Sequence, residues 1–286
     1  MKVAPLRYDV IFKKAFSEPK LFKALVKDFL QIDNFEISEV ENDKAFYPVV
    51  GNVNFKFDLF AEDSKNRIIV EMQHAHYSDT YERFLYYQCC AMIESVASSK
   101  NYSFPITVNT LVFFSHKPTP SPNSGILEVD FQARDTYDGM VIEKVFGKHK
   151  HRLLFVYVND YNAAYSSEEC AEWMEAFHDT LDSQVSPDDY ENPCIEEMFE
   201  LIKEDKITPD ERAQMKKEHN QEEAQMDARQ KGFEKGKKEG LEEGEKKGKR
   251  EMAEKTAHNL IGSLSAEQIA SATGLPLERV KALSAQ

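Results

Sequence analysis

Apolar and polar residues alternate most clearly over residues 55–73, which read FKFDLFAEDSKNRIIVEMQ. Two short runs, 53–60 and 67–73, flank the polar segment Glu62-Asp63-Ser64-Lys65-Asn66, and this pattern predicts two strands joined by a tight turn. Strand side chains point to one face at every second position. Ile69, Glu71 and Gln73 therefore share a face, and Ile68, Val70 and Met72 share the other. An acid in the middle of an apolar strand is costly to bury without a partner. Asp58 lies on the neighbouring strand. Where it faces Glu71, two carboxylates converge beside an amide, an oxygen donor set that a hard divalent cation favours.

Around this hairpin the periodicity changes. Val10, Phe12 and Phe16, then Leu21, Phe22, Leu25, Val26, Phe29 and Leu30, follow a helical repeat, broken at Glu18-Pro19 and ending near Gln31. Asp9 is placed as the N-cap of the first helix. A strand is expected over residues 35–40. After the hairpin, Phe84, Tyr87, Ala91 and Ile93 predict a long amphipathic helix capped by Ser78 or Asp79, with Arg83 one turn in and able to point back towards the carboxylates. The continuous apolar runs 106–115 and 153–158 read as central strands covered on both sides. Between them, residues 125–147 predict an edge hairpin turning at Asp138-Gly139. Residues 168–181 form an amphipathic helix carrying the single tryptophan, Trp173, and 193–203 a further helix.

From Thr208 the composition becomes highly charged. Thr208 and Pro209 mark a helix start. Gly232, Gly236, Gly240, Gly244 and Gly248 then recur every fourth residue. Glycine costs a helix about 1 kcal/mol relative to alanine, yet a stripe of glycines also permits close backbone approach. Pairing with a second copy, giving a homo-oligomer through this helix, and a flexible charged tether are both compatible with the pattern. At the end, Ser265 with Gln268 forms a capping box, Gly274 a C-cap, and Leu275-Pro276 opens a second short helix. The expected organisation is a domain over 1–181, an acidic linker and helix over 182–207, the glycine-repeat helix over 208–258 and a small helical pair over 259–286. The fold class is α/β: a mixed central sheet flanked by helices, with a charged helical C-terminal tail.

Charge changes this picture in one respect. The net charge is −14, and residues 151–210 hold 16 acidic against 3 basic residues. The negative total speaks against a broadly basic nucleic-acid surface and leaves room for a local site in the nearly neutral first 150 residues. No run reaches the roughly 18–20 apolar residues of a membrane span, so no membrane partner is expected, and no signal-peptide pattern is visible. Cys89, Cys90, Cys170 and Cys194 show no metal-binding spacing, and a reducing cytoplasmic location is expected.

The order of these pieces resembles the PD-(D/E)XK nuclease superfamily, and more closely its recombination-promoting nuclease and transposase family. The residues that carry the resemblance are Asp9-Val-Ile-Phe-Lys-Lys-Ala-Phe16, Asp58, Glu71-Met-Gln73, Arg83 with Tyr86-Tyr87, Trp173-Met-Glu-Ala-Phe177 and the Glu/Gly/Lys tail. The resemblance implies a restriction-endonuclease-like core that hydrolyses DNA phosphodiesters, with a link to recombination or mobile elements. It implies Asp58 and Glu71 as ligands of Mg2+ (or Mn2+), the Met72 carbonyl completing the shell, Gln73 as the third catalytic position, Arg83 on a DNA phosphate and Asp9 as an extra acid nearby. Gln73 stands where the superfamily pattern has lysine. Glutamine donates a hydrogen bond but brings no charge and no base, so activation of the nucleophile falls to the metal.

Each position also has a plainer reading. Asp9 is then a helix cap, Arg83 an ion-pair partner of Asp79 or Glu82, and His74 and His76 solvated loop residues. His149 and His151 then lie in a solvated basic turn. The alternative at the level of the whole chain is a nuclease fold without cleavage that serves as a binding or assembly module.

Overall fold

The computed structural model describes residues 1–46, 55–74, 80–96, 103–116, 122–142 and 150–284. The expected Ser78 or Asp79 cap, His76 and His149 lie outside them. In chain order come α1 (Asp9–Phe16), α2 (Pro19–Leu30), β1 (Glu41–Phe46), β2 (Phe55–Glu62), β3 (Asn66–Gln73), α3 (Thr80–Glu94), β4 (Thr107–Phe114), β5 (Ile126–Asp130) and β6 (Arg152–Tyr157). The helices α4 (Glu168–Asp179), α5 (Pro193–Leu201), α6 (Pro209–Leu260), α7 (Ala266–Thr273) and α8 (Leu277–Ser284) follow. The strands form one mixed sheet in the order β1-β2-β3-β4-β6-β5. β3, β4 and β6 run parallel at its centre, and the remaining pairings are antiparallel. This is the α/β architecture read from the hydrophobic pattern.

The β2–β3 hairpin turns where the polar segment sits. Asp63 Oδ1 accepts the backbone N–H groups of Lys65 (2.8 Å) and Asn66 (2.6 Å), so the aspartate side chain closes the turn. The alternation along β3 divides the core as expected. Ile68 and Val70 enter the main core with residues of α1, α2, α4 and α5, whereas Ile69 joins Phe46, Phe57, Phe60, Ala91 and Met92 beneath α3. Phe113 lies at the centre of the main core, stacked on Phe177 at 4.6 Å and edge-on to Phe29 at 5.3 Å. Such ring pairs add about 0.5–1.5 kcal/mol each beyond their buried area. Trp173 is fully buried and its indole N–H donates to Asp28 Oδ2 at 2.7 Å. Residues 182–207 also feed this core through Val185, Ile195, Met198, Phe199, Ile202 and Ile207.

Several local expectations are corrected. The strand expected at 35–40 forms instead at Glu41–Phe46, because the segment 41–46 has β2 as its hydrogen-bonding partner. Phe35 is buried in the main core, 6.3 Å from the Phe22 ring, as part of a connector. Asp9 is the first helical residue rather than the cap; Tyr8 holds the N-cap position without a side-chain bond, and the Asp9 N–H donates to Glu218 Oε2 at 3.0 Å. The strand at 126–130 pairs with β6, while the expected turn at Asp138-Gly139 forms within the described residues, the Asp135 N–H donating to the Met140 carbonyl and the Ile142 N–H to the Ala133 carbonyl beside an Arg134–Val141 bridge. Gly125 precedes this edge strand with φ 73°, and an added Cβ would collide with Tyr161. His151 is not solvated: it is buried against Phe104, and its Nδ1 accepts the Val108 N–H at 2.9 Å.

The chain forms two compact units, Met1–His219 and Asn220–Gln286. Thr208 caps α6 by accepting the Glu211 N–H, while the Glu211 side chain accepts the Thr208 N–H. The glycine repeat is helical throughout, and a Cβ added at any of the five glycines would meet open space beyond the helix's own backbone. Within the second unit, Ala257, Ile269, Leu275 and Val280 form a small core, and Arg279 binds Glu254 at 2.9 Å. The Ser265–Gln268 capping box and the left-handed Gly274 C-cap both form. No described helix is long and apolar enough to cross a membrane.

Candidate active site

The two acids singled out in the sequence do meet. The Asp58 N–H donates to Glu71 Oε1 at 3.1 Å, and the Met72 N–H donates to Asp58 Oδ2 at 3.0 Å. Each carboxylate thus occupies a backbone donor of the opposite strand just where the regular ladder stops, since β2–β3 pairing ends at Leu59 opposite Val70. The β1–β2 register skips the same rung: Asn42 pairs with Leu59 and Lys44 with Phe57, but Asp43 and Asp58 do not bridge. Asp43 takes a left-handed backbone with φ 53°, a conformation that aspartate tolerates better than most residues. The face alternation breaks here as well. Phe57 and Phe60, three residues apart, both lie beneath α3, while Leu59 and Ala61 face the main core. The irregular rung turns Asp58 towards α1.

There it meets a residue to which the sequence reading gave no role. Lys13 Nζ lies 2.7 Å from Asp9 Oδ2, 2.9 Å from Asp43 Oδ1 and 3.7 Å from Asp58 Oδ1, with only 12% of its side chain exposed. Asp9 is therefore part of the site's surroundings through its ion pair with Lys13. The Asp9–Lys13 spacing of one helical turn was legible as an ion pair; the reach of that pair to β1 and β2 was not. On the other side of the sheet, Arg83 donates to Gln73 Oε1, and its guanidinium sits 4.7 Å from the centre of the Phe84 ring. The sequence reading turned Arg83 towards the carboxylates; its hydrogen bond goes to Gln73 at the end of β3, and its charge acts on Glu71. His74 bonds Ser115 through Nδ1. Burial, followed by the charges of Arg7 and His116, lowers its pKa to about 4, which leaves it neutral.

The electrostatics of the pair are unfavourable as they stand. Burial raises the Asp58 carboxyl from 3.8 to about 7; the charges of Asp9 and Asp43 push the same way, and Lys13 and the Met72 N–H oppose. Glu71 is buried and also raised, first by burial and then by Asp58, against the Asp58 N–H, Arg83 and Lys13. Lys13 itself is held above its ordinary value: burial works against its charge, but Asp9, Asp58 and Asp43 outweigh it. Two acids that resist ionising side by side are the condition a divalent cation relieves.

The donor chemistry fits such an ion. The donors are hard oxygens, and among the described residues no group of three or more His, Cys, Asp and Glu is arranged to hold a metal. Mg2+ keeps several of its waters and is commonly bound through one or two carboxylates, which is what Asp58 and Glu71 offer.

No curated protein and no solved structure matches the chain. A family model described as PD-(D/E)XK nuclease family transposase matches residues 6–232, a span that takes in α1, the whole sheet, the acid pair and the first part of α6. With well over half its length covered, and with a six-stranded mixed sheet that brings Asp58 to Glu71, the chain belongs to the PD-(D/E)XK nuclease family of transposases.

Proposed function

We propose that this protein is a divalent-metal-dependent DNA endonuclease that hydrolyses phosphodiester bonds, with a role in recombination or mobile elements. The observation that carries the reading is the acid pair itself: a half-buried and a buried carboxyl, both of raised pKa, joined through each other's strand backbones and flanked by Lys13 and Arg83. Nucleases of this kind generally use divalent metal ions. Asp58 and Glu71 are the residues that hold the ion, Mg2+ or Mn2+. When bound, the ion supplies Lewis-acid polarisation of the phosphate and makes water a stronger acid.

The protein's own side chains do the rest. Gln73 fixes Arg83 and donates a hydrogen bond without acting as a base. Arg83 makes a charge-assisted contact to a DNA phosphate. In the reaction the oxygen of water bonds to phosphorus and the P–O bond to the departing strand breaks. One water proton ends on the leaving oxygen, and the other leaves the new terminal phosphate for solvent. The catalytic residues belong to the nuclease-like domain expected over 1–181, whose core residues 182–207 complete, and the partner of the glycine-striped α6 is a second copy of the chain.

The test is cleavage of supercoiled plasmid in Mg2+ and in Mn2+ by the wild type and by Glu71→Ala. Metal-dependent nicking that disappears in the variant is the expected result. A folded, metal-saturated wild type that leaves the plasmid intact would overturn it. That outcome would favour a second reading, a nuclease fold that binds or assembles without cutting, which the uncharged Gln73 and the acidic stretch 151–210 support.

A further inference from the structure

The strand position two residues after Glu71 carries no positive charge, and the oxygen of Gln73 there is taken by Arg83. A lysine nevertheless stands at the acid pair, delivered from a different element. Lys13 rises from α1 into the gap left by the skipped β1–β2 rung and gathers carboxylates from α1, β1 and β2. An exposed pair of residues four apart on a helix is worth about 0.3–0.5 kcal/mol and needs no such setting. This ammonium is instead withdrawn from water, and the strand is opened around it. Of its three N–H donors, two go to Asp9 and Asp43. Asp58, at 3.7 Å, is an ion-pair partner beyond hydrogen-bonding length, so the charge of Lys13 acts on the acid pair while its hydrogen bonds go to Asp9 and Asp43.

The charge balance points the same way. With all four acids ionised, the state a bound cation favours, Asp9, Asp43, Asp58 and Glu71 set against Lys13 and Arg83 leave two negative charges, which one divalent cation neutralises and two would exceed. We propose that Lys13 is the lysine of this site: its ammonium fills the space between Asp9, Asp43 and Asp58 that a second cation would take, and it stabilises negative charge on the phosphate as the P–O bond breaks. Lys13 adds no atom to the reaction and keeps its proton throughout. The inference rests on the nuclease reading above and deepens it, fixing the site as one that takes a single divalent ion.

The experiment is Mn2+ binding by the full-length chain, followed through the paramagnetic resonance signal of free Mn2+, together with plasmid cleavage at saturating Mn2+. The wild type is expected to bind one Mn2+ in the site; two would overturn the proposal without any variant being made. Lys13→Met is expected to bind a second Mn2+, to keep or tighten the first, and to lose cleavage by about 10²-fold, the usual effect of removing one preorganised charge-stabilising group. Lys13→Arg, which retains the charge, is expected to bind one. A merely structural lysine would instead give weaker first-site binding together with the loss of cleavage, and that pattern in Lys13→Met counts against the proposal. One Mn2+ and unchanged cleavage in Lys13→Met would remove the role of Lys13 while leaving the nuclease intact. A wild type that binds no Mn2+ would remove the nuclease reading and this inference with it.

Discussion

Replacing Asp58 by asparagine is expected to stabilise the metal-free protein while abolishing cleavage. The carboxyl of Asp58 ionises near 3.8 when unfolded and near 7 in the fold. Each pH unit of separation is about 1.4 kcal/mol, so ionised Asp58 costs the native state up to about 4 kcal/mol at pH 8. The side chain is 22% exposed and Lys13 lies beside it, so about 2 kcal/mol is the gain expected from removing the charge. The amide keeps an oxygen for the Met72 N–H, and Lys13 keeps Asp9 and Asp43. Because the folded pKa is raised, the native state holds the proton longer than the unfolded chain. The Asp58 contribution to wild-type stability in a chelator therefore falls as pH rises from about 4 to about 7 and levels off above. The advantage of Asp58→Asn should be full at pH 8 and much smaller at pH 5. Urea denaturation followed by Trp173 fluorescence measures this directly, since the only tryptophan is buried in the main core. A variant less stable than wild type at pH 8 in chelator, or an advantage of equal size at pH 5, would refute the argument. Added Mg2+ should stabilise the wild type and leave the variant unmoved.

Other outcomes follow from the same contacts. Arg83→Ala removes a charge that lowers the Glu71 pKa, so the pH midpoint for Mn2+ binding should move up, and the salt dependence of DNA binding should lose about one unit of slope. His151→Leu leaves the buried Val108 N–H without its acceptor and should cost about 1–3 kcal/mol in urea denaturation. Gly240→Ala adds a methyl group where nothing lies within 4 Å. It should raise the helical signal of the single chain yet reduce the mass seen by sedimentation if copies meet along that stripe; an unchanged mass, with a self-associating wild type as control, would count against pairing.

The parts of the fold read correctly from sequence were those fixed by local chemistry. The β2–β3 hairpin follows from period-two alternation and from Asp63, whose side chain closes its own turn. The caps at Thr208 and Ser265 bond backbone groups three residues away, so their signal is contained within four residues. The misplacements depended on partners distant in the chain. Residues 35–40 have strand-forming side chains, but only 41–46 lie opposite β2. His151 reads as part of a basic turn because nothing nearby in sequence announces Val108. At the site, parity placed Glu71 and Gln73 on one face, and Arg83 on α3 reaches Gln73 there. The skipped rung at Asp58 and the approach of Lys13 were hidden, because a break in alternation is a property of two paired strands and leaves no mark in either one.

The bond from the Asp9 N–H to Glu218 has a practical consequence. The helix that carries Lys13 begins with an amide satisfied by a residue more than two hundred positions downstream, and Lys14 on the same helix binds Glu211 at 2.9 Å. A shortened protein ending at residue 207 would keep every strand yet lose both fastenings of α1. The smallest fragment expected to preserve the geometry around Lys13 therefore runs to residue 219, and its thermal midpoint should exceed that of the 1–207 fragment by several degrees.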